Sequence, residues 1–238
     1  MKTIHEESRR YWKNRTDARH RYAGEDWFER YAGELIALVP AGGTLLDVGC
    51  GACDYTPYLA TKFDRVIGID FSPAMLEAAH VRVAQFQLSN VTLLEGDAIS
   101  FPAEVERADA ILVNGLLQYL DDKALQKHLA ECTRVLAPGG IICWGSVPNL
   151  HLRWLWYVGA LSTSPPPLRQ MIKQWWQVVQ SQRRAERSGD ALWDNIGRWF
   201  EPAKLKAKAE AAGYMCEFRN SWFSEYRFHA ILRRSSAG

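Results

Sequence analysis

The stretch Leu45-Leu46-Asp47-Val48-Gly49-Cys50-Gly51-Ala52-Cys53-Asp54-Tyr55 decides how this chain is read. Its apolar start suits a buried strand, and the two glycines let bare backbone turn sharply into a following helix. A ligand can then meet backbone N–H groups at the N-terminus of that helix, expected over Tyr55 to Lys62. The glycine pair alone does not name the ligand. A dinucleotide fingerprint needs a third glycine at position 54, where this chain carries Asp54, and Asp47 stands just before the turn. Two carboxylates there repel a pyrophosphate and attract a cation.

Outward from this turn, short apolar runs alternate with helical segments, the pattern of βαβ units and a parallel sheet. The strand candidates are TLLDVG, RVIGID, VTLLEGD, ADAILVN and GIICWGS. Helices are expected over Ser72 to Leu88 and Asp122 to Leu136, the latter ended by the turn sequence APGG. Glu201 to Ala212 reads as a further helix. Tyr214 to Asn220 and Tyr226 to Arg233 read as two closely spaced strands, which must pair antiparallel.

Three parts follow from this pattern. Residues 1–40 are expected to form an N-terminal helical segment covering the ligand turn, with Trp27, Phe28, Tyr31, Leu35, Ile36 and Leu38 as its apolar face. Residues 41–148 and 201–238 form the core. Residues 149–200 are an insertion that leaves the carboxyl edge of the sheet, where open α/β folds bind ligands. We read that insertion as a cap over the substrate.

The acids after the turn extend the constellation. Asp70 ends the second strand about 20 residues on, the separation at which an acid meets ribose hydroxyls in such sheets. Its plain alternative is a helix N-cap before Ser72-Pro73. Asp97 follows the third strand and Asn114 ends the fourth, each with a turn or strand-end hydrogen bond as the simpler explanation. Turn, acid, acid and amide at four successive strand ends are more than these separate explanations account for.

These residues resemble the Rossmann-like, class I small-molecule methyltransferases that use S-adenosylmethionine, over roughly Leu35 to Gly145 and the terminal hairpin. LLDVGCG looks like the family's first motif, GIDFSPAMLEAA its second strand and helix, GDA its third-strand acid and LAPGG its turn before the fifth strand. The resemblance implies an α/β fold: a seven-stranded, mostly parallel sheet with an antiparallel terminal hairpin, helices on both faces and a helical cap after the fifth strand. It implies that Asp70 binds the ribose hydroxyls and Asp97 the adenine amine, with Ala98 offering backbone to the ring. Phe71 and Met75 would flank the adenine, Gly49, Gly51 and Asn114 would line the methionine part, and Asp47 is also expected to bind the cofactor. Tyr11, Trp12 or Arg15 would meet its carboxylate or close the site. One departure is visible, since Cys53 replaces the third glycine of the first motif.

The cofactor's sulfonium and ammonium suit the same acids that disfavour a pyrophosphate. Methyl transfer depends chiefly on positioning and exclusion of water, so a base is needed only for weakly acidic hydroxyls. Gln118 and Tyr119, in the loop after the fourth strand, are expected to face the acceptor, Tyr119 doubling as a weak candidate base. His151 enters the cap at the ligand edge and is the histidine best placed for proton transfer, against the plainer reading of a solvated or core histidine. Trp222 and Tyr226 flank the hairpin turn as further acceptor contacts. No His, Cys, Asp and Glu cluster has metal-ligand spacing, so no metal is expected.

Six of the ten tryptophans fall between Asn149 and Phe200, beside seven Arg or Lys and three acids. That local charge of +4 among aromatic faces suits a sugar carrying phosphate, a nucleotide-linked sugar or an anionic aromatic acid as acceptor. Simple packing of the cap onto the core explains the same tryptophans. Leu168, Met171, Ile172, Trp175, Trp176 and Val179 recur at helical spacing, so this helix is expected to dock on the domain first and on a membrane surface second. The acceptor is read as a small molecule methylated at oxygen. The alternatives are nitrogen methylation, a lipid-linked acceptor, or a non-catalytic module that only binds adenosylmethionine.

Composition sets the outer bounds. With 238 residues and 47% hydrophobic content the chain can bury one sizeable core. A formal charge of +2 with scattered cations gives no nucleic-acid footprint, and no nucleic-acid partner is expected. Five cysteines, an odd number, and a charged N-terminus lead to the expectation of a reducing, cytoplasmic setting.

Overall fold

The structure, a computed structural model, describes residues 25–162, 164–188 and 197–235, together with Glu6, Arg9, Trp12 and Lys13. Alternation along β1 (Thr44–Val48) sends Leu46 and Val48 to one face of a sheet and Leu45 to the other. In β4 (Ala108–Asn114), Ile111 and Val113 join Leu46, while Ala110 and Leu112 join Leu45. Both faces are buried, as apolar runs without a polar side require.

Seven strands lie in the order β3 (Val91–Glu95), β2 (Arg65–Asp70), β1, β4, β5 (Leu136–Pro148), β7 (Arg227–Arg234), β6 (Tyr214–Asn220). The first five run parallel, and β7 runs antiparallel to both β5 and β6. This is the expected seven-stranded Rossmann-like sheet. Strand order reverses between β1 and β4, so a crevice opens beyond their carboxyl ends.

Helices cover both faces. On one side α1 (Glu25–Leu38) and α2 (Thr56–Leu59) pack Tyr31, Leu35 and Leu59 against Leu45, Leu112 and Cys143. On the other, α4 (Asp122–Val135) and α7 (Pro202–Ala211) bring Leu125, Leu129, Leu205 and Ala209 onto Ile111, Ile142 and Trp144. α3 (Pro73–Gln85) lies against β2 and β3; Ser72 caps it by accepting from the Met75 N–H, and Pro73 at its first position needs no N–H partner. Buried within α4, His128 has Nδ1 2.8 Å from the Ala98 carbonyl oxygen, while Trp144 Nε1 donates to its Nε2. That pairing fixes the proton on Nδ1, and burial pulls its pKa down to about 4.

Two boundaries differ from the sequence reading. α2 is a single turn, because the Lys62 carbonyl is taken by the Gly42 N–H at 2.7 Å and the chain must already return to β2. β5 begins at Leu136: the APGG segment pairs with β4 through a register shift, with Gly139 at φ +77°, and so forms a bulge within the strand.

Between β5 and α7 the insertion forms a 3-10 turn (Leu150–Leu152), α5 (Arg153–Tyr157) and α6 (Leu168–Ser188). Its ends are stitched together, Leu150 N–H to Phe200 O at 2.8 Å and Phe200 N–H to Pro148 O at 2.9 Å. Trp156 and Trp199 pack with their rings 5.5 Å from that of Tyr226. α6 does not dock as expected: Leu168, Ile172, Trp175 and Trp176 are exposed by 70%, 51%, 45% and 51%. Its neighbour is α5, five residues long, which offers too little surface to cover that face. Among the described residues no helix is long and apolar enough to cross a membrane.

Candidate functional site

The glycine turn sits at the carboxyl end of β1. Gly49 has φ +75°, and a Cβ there would come within 2.4 Å of Leu116 Cδ1. Gly51 has φ +54° with nothing within 4 Å of where its Cβ would point, so its backbone faces open space. Cys53, standing where the family has glycine, also adopts a left-handed φ of +59°, a conformation that costs a non-glycine residue about 1 kcal/mol. The departure in sequence therefore keeps the glycine-like backbone.

Asp70 braces this turn. Its Oδ2 accepts the Gly51 N–H at 3.0 Å and its Oδ1 the Ser72 N–H at 2.9 Å, while Ser72 itself is the cap of α3. Burial raises the Asp70 pKa and the N–H bonds oppose that rise. Asp47 lies beside it, pushed up to about 7 by burial and then by the charge of Asp70. No hydrogen bond to its carboxylate and no cation paired with either acid is recorded among the described residues. Asp54 differs, because it forms a 2.9 Å ion pair with buried Arg82. The expectation that Asp54 offers an open charge to a ligand is thereby corrected.

These groups open on a cavity of about 440 Å³ at the carboxyl ends of the parallel strands. Gly49, Gly51, Asp70, Phe71 and Met75 line one half, with Asp97, Ala98 and Asn114 beside them. Asp47 sits behind that wall. Three described residues before α1 meet the site: Arg9 pairs with Asp97 Oδ2 at 2.9 Å and lies 5.4 Å from the Phe71 ring centre. Trp12 meets Tyr119 edge-on at 5.7 Å, and the Lys13 carbonyl accepts from Ser72 Oγ at 3.3 Å. Arg15 and Tyr11 lie outside the described residues.

In the other half Gln118, Tyr119 and Tyr226 line the cavity. Trp27, Tyr31, Tyr55 and Phe223 add an aromatic wall, with Trp27 stacked on Tyr31 at 5.1 Å. Tyr31 donates to Asn114 Oδ1 at 2.9 Å, and burial pushes its pKa up to about 12. Arg227 donates from Nη1 to Gln118 Oε1 at 2.8 Å and to the Ser146 carbonyl at 2.6 Å. Ser146 holds a left-handed φ of +57° at the point where β5 shifts register against β7.

Two expected acceptor contacts lie elsewhere. His151 is exposed and outside the cavity lining, because Asn149 and Leu150 are held by Tyr226 and Phe200, and its own N–H is bound by the Asn149 side chain. Trp222 is 76% exposed and also off the wall, its neighbour Phe223 taking that place. The cap reading changes as well: no described residue of 149–200 lines the cavity, and Trp193 falls outside the described residues.

A buried tie that sequence reasoning missed holds the acceptor half together. Glu34 of α1 accepts the Trp222 N–H on Oε1 and the Ser221 hydroxyl on Oε2 at 3.3 Å. Its Oε1 also lies 3.1 Å from His229 Nε2. The Ser146 N–H points at His229 Nδ1, so the ring proton sits on Nε2, facing Glu34. Burial lowers the His229 pKa against the pull of Glu34. A carboxylate three residues after Tyr31 on an apolar helical stripe was the available signal. Arg227 and Ser146 gave none, since long-range strand pairing places them.

The turn, the bare acids and the reversed strand order define a Rossmann-like methyltransferase. Residues 45–140 match the family model described as a methyltransferase domain. Over 184 residues the chain is 38% identical to the trans-aconitate 2-methyltransferase of Methylobacterium radiotolerans, covering 75% of this chain and 61% of that protein. Over 112 residues it is 38% identical to a demethylmenaquinone methyltransferase of Bacillus cereus, 45% of this chain and 46% of that one. The chain thus spans less than two thirds of the length of either relative. Among solved structures, the DhpI-SAM-HEP complex shares the fold, with a TM-score of 0.66, 19% identity and coverage of 98% and 100%. Residues 45–140 thus form a methyltransferase domain, and the class I methyltransferases they resemble take S-adenosylmethionine as cofactor.

Proposed function

We propose that the protein transfers a methyl group from S-adenosylmethionine to an oxygen of a small polar acceptor. The observation that carries this is the pair Asp47 and Asp70, two buried carboxylates against the glycine turn with no cation paired among the described residues. They fit a cationic ligand and disfavour a phosphate. When bound, S-adenosylmethionine supplies a methyl group on a positively charged sulfur. Asp70, Asp97 and Ala98 would hold its nucleoside part, with Phe71 and Met75 along the ring. Asp47, Gly49, Gly51 and Asn114 would hold the amino-acid part.

In this reading the aromatic wall excludes water, and the Tyr31 hydroxyl fixes the Asn114 side chain. A tyrosine with a pKa of about 12 stays protonated at neutral pH, and no histidine lines the cavity among the described residues. Tyr119 keeps an orienting role. The acceptor therefore brings a nucleophile that needs little help to lose its proton. A sugar acceptor loses the support of the described cap tryptophans, which stand away from the cavity. The names of the trans-aconitate and demethylmenaquinone relatives are those of small-molecule enzymes and agree with a cavity of this size.

Calorimetry with S-adenosylmethionine and S-adenosylhomocysteine tests the cofactor. Absence of binding to folded protein overturns the reading. Labelled methyl transfer to small-molecule extracts tests the activity; binding without transfer favours a non-catalytic module. A second reading, an enzyme working at a lipid surface, is favoured by the exposed Ile172, Trp175 and Trp176 on basic α6. It requires association with anionic vesicles that Trp175→Ser combined with Trp176→Ser removes.

A further inference from the structure

Arg227 is the first residue of β7, and its register opposite Pro148 sets it at the end of β5, on the cavity wall. Among the described residues its side chain makes two hydrogen bonds, both from Nη1 and both to neutral oxygens, those of Gln118 and Ser146. A guanidinium has five N–H donors, so Nε and Nη2 retain three. The Tyr226 ring lies 5.0 Å from its Cζ and supports it from the side.

Arg9, the other arginine on the cavity lining among the described residues, is neutralised, and so is Arg82 behind it. Arg9 faces Asp97 at 2.9 Å, and Arg82 faces Asp54 at 2.9 Å. Arg227 has no carboxylate partner among the described residues, although it is half-buried beside aromatic rings. A partly desolvated guanidinium held rigidly by two neutral acceptors is preorganised to take an oxyanion, and its planar fork matches a carboxylate or a phosphoryl group. The low dielectric of the aromatic wall strengthens such a pair.

We infer that the acceptor is an acid, and that Arg227 binds its carboxylate or phosphoryl oxyanion. The inference rests on the methyltransferase reading above and names the acceptor class for that site. Arg227 sets specificity by anchoring the acceptor, and the Gln118 and Ser146 oxygens position it.

The test uses the full chain and a deproteinised small-molecule extract, split on an anion-exchange resin into anionic and non-anionic pools. Labelled transfer from S-adenosylmethionine is expected from the anionic pool alone. Pretreating that pool with phosphatase, or capping its carboxylates with an amine and carbodiimide, tells the two oxyanions apart by which treatment abolishes product. Arg227→Met is expected to lower kcat/KM by about 10- to 100-fold, mainly through KM, the loss typical of a charged hydrogen bond. Its affinity for S-adenosylhomocysteine should stay within about twofold of the parent, which also reports that the variant folds. Arg227→Lys should fall between.

Product from the non-anionic pool, or an Arg227→Met enzyme with unchanged KM, overturns the acceptor assignment and leaves the methyltransferase reading standing. A protein that binds no S-adenosylhomocysteine, or transfers to neither pool, fails the methyltransferase reading itself and the acceptor assignment with it.

Discussion

Asp47→Asn removes one buried charge from behind the glycine turn and keeps the shape of the side chain. Folding carries the Asp47 carboxyl from its ordinary 3.8 to about 7, through burial first and the charge of Asp70 second. Such an acid holds its proton more tightly folded than unfolded, so stability falls as pH rises from about 4 to about 7. The full loss is about 4 kcal/mol. His128 acts in the opposite sense: its pKa drops from 6.5 to about 4 on folding, so it adds about 3 kcal/mol as pH rises across nearly the same window. The two slopes largely offset each other in the parent protein. Asp47→Asn removes the fall and keeps the rise from His128, and at pH 8 the variant exceeds the parent by up to about 4 kcal/mol. Urea unfolding followed by circular dichroism at half-unit steps from pH 5 to pH 8 measures the difference curve. Parallel curves for parent and variant would refute the assignment of a raised pKa to Asp47. A bound sulfonium should return Asp47 to its ionised form, seen as proton release near pH 6 in calorimetry across buffers of different ionisation enthalpy.

Asp70→Asn exchanges an acceptor oxygen for an amide N–H that faces the Gly51 or Ser72 N–H. Affinity for S-adenosylmethionine is expected to drop by about 10- to 100-fold, and unchanged affinity argues against a ribose contact. Arg9→Ala frees Asp97 and the Phe71 face, so cofactor binding should tighten by about two- to fivefold, the worth of an exposed ion pair; weaker binding would show that Arg9 helps hold the cofactor. At Cys53, the Gly variant should exceed the Ala variant in thermal stability by about 1 kcal/mol, since only glycine relieves the left-handed backbone. The reverse order would place the cost of that turn elsewhere.

The cofactor half of the site was legible because its determinants are local. Leu45 to Tyr55 holds a strand, its turn and the start of a helix, and Asp70, Asp97 and Asn114 each end a strand visible as an apolar run. The acceptor half depends on which strands become neighbours. Nothing near Arg227 announces that β7 inserts between β5 and β6 and brings it against Gln118, 109 positions earlier. His151 was misplaced for a similar reason: β5 continues to Pro148, and the bonds of Asn149 and Leu150 to Tyr226 and Phe200 leave the histidine in solvent. The periodicity of α6 showed that one face is apolar without showing what that face meets.

The Glu34 tie joins α1 to the turn after β6 across 188 positions of sequence. Closing so long a loop costs more conformational entropy than joining the neighbouring β1, α2 and β2 segments. The pocket thus has two kinds of wall: a glycine-turn half made by segments close in sequence, and a second half closed by contacts between distant ones. On the reading proposed above, substitutions at Glu34, Ser221 or Arg227 act on the second half of the cavity and leave the glycine turn as it is.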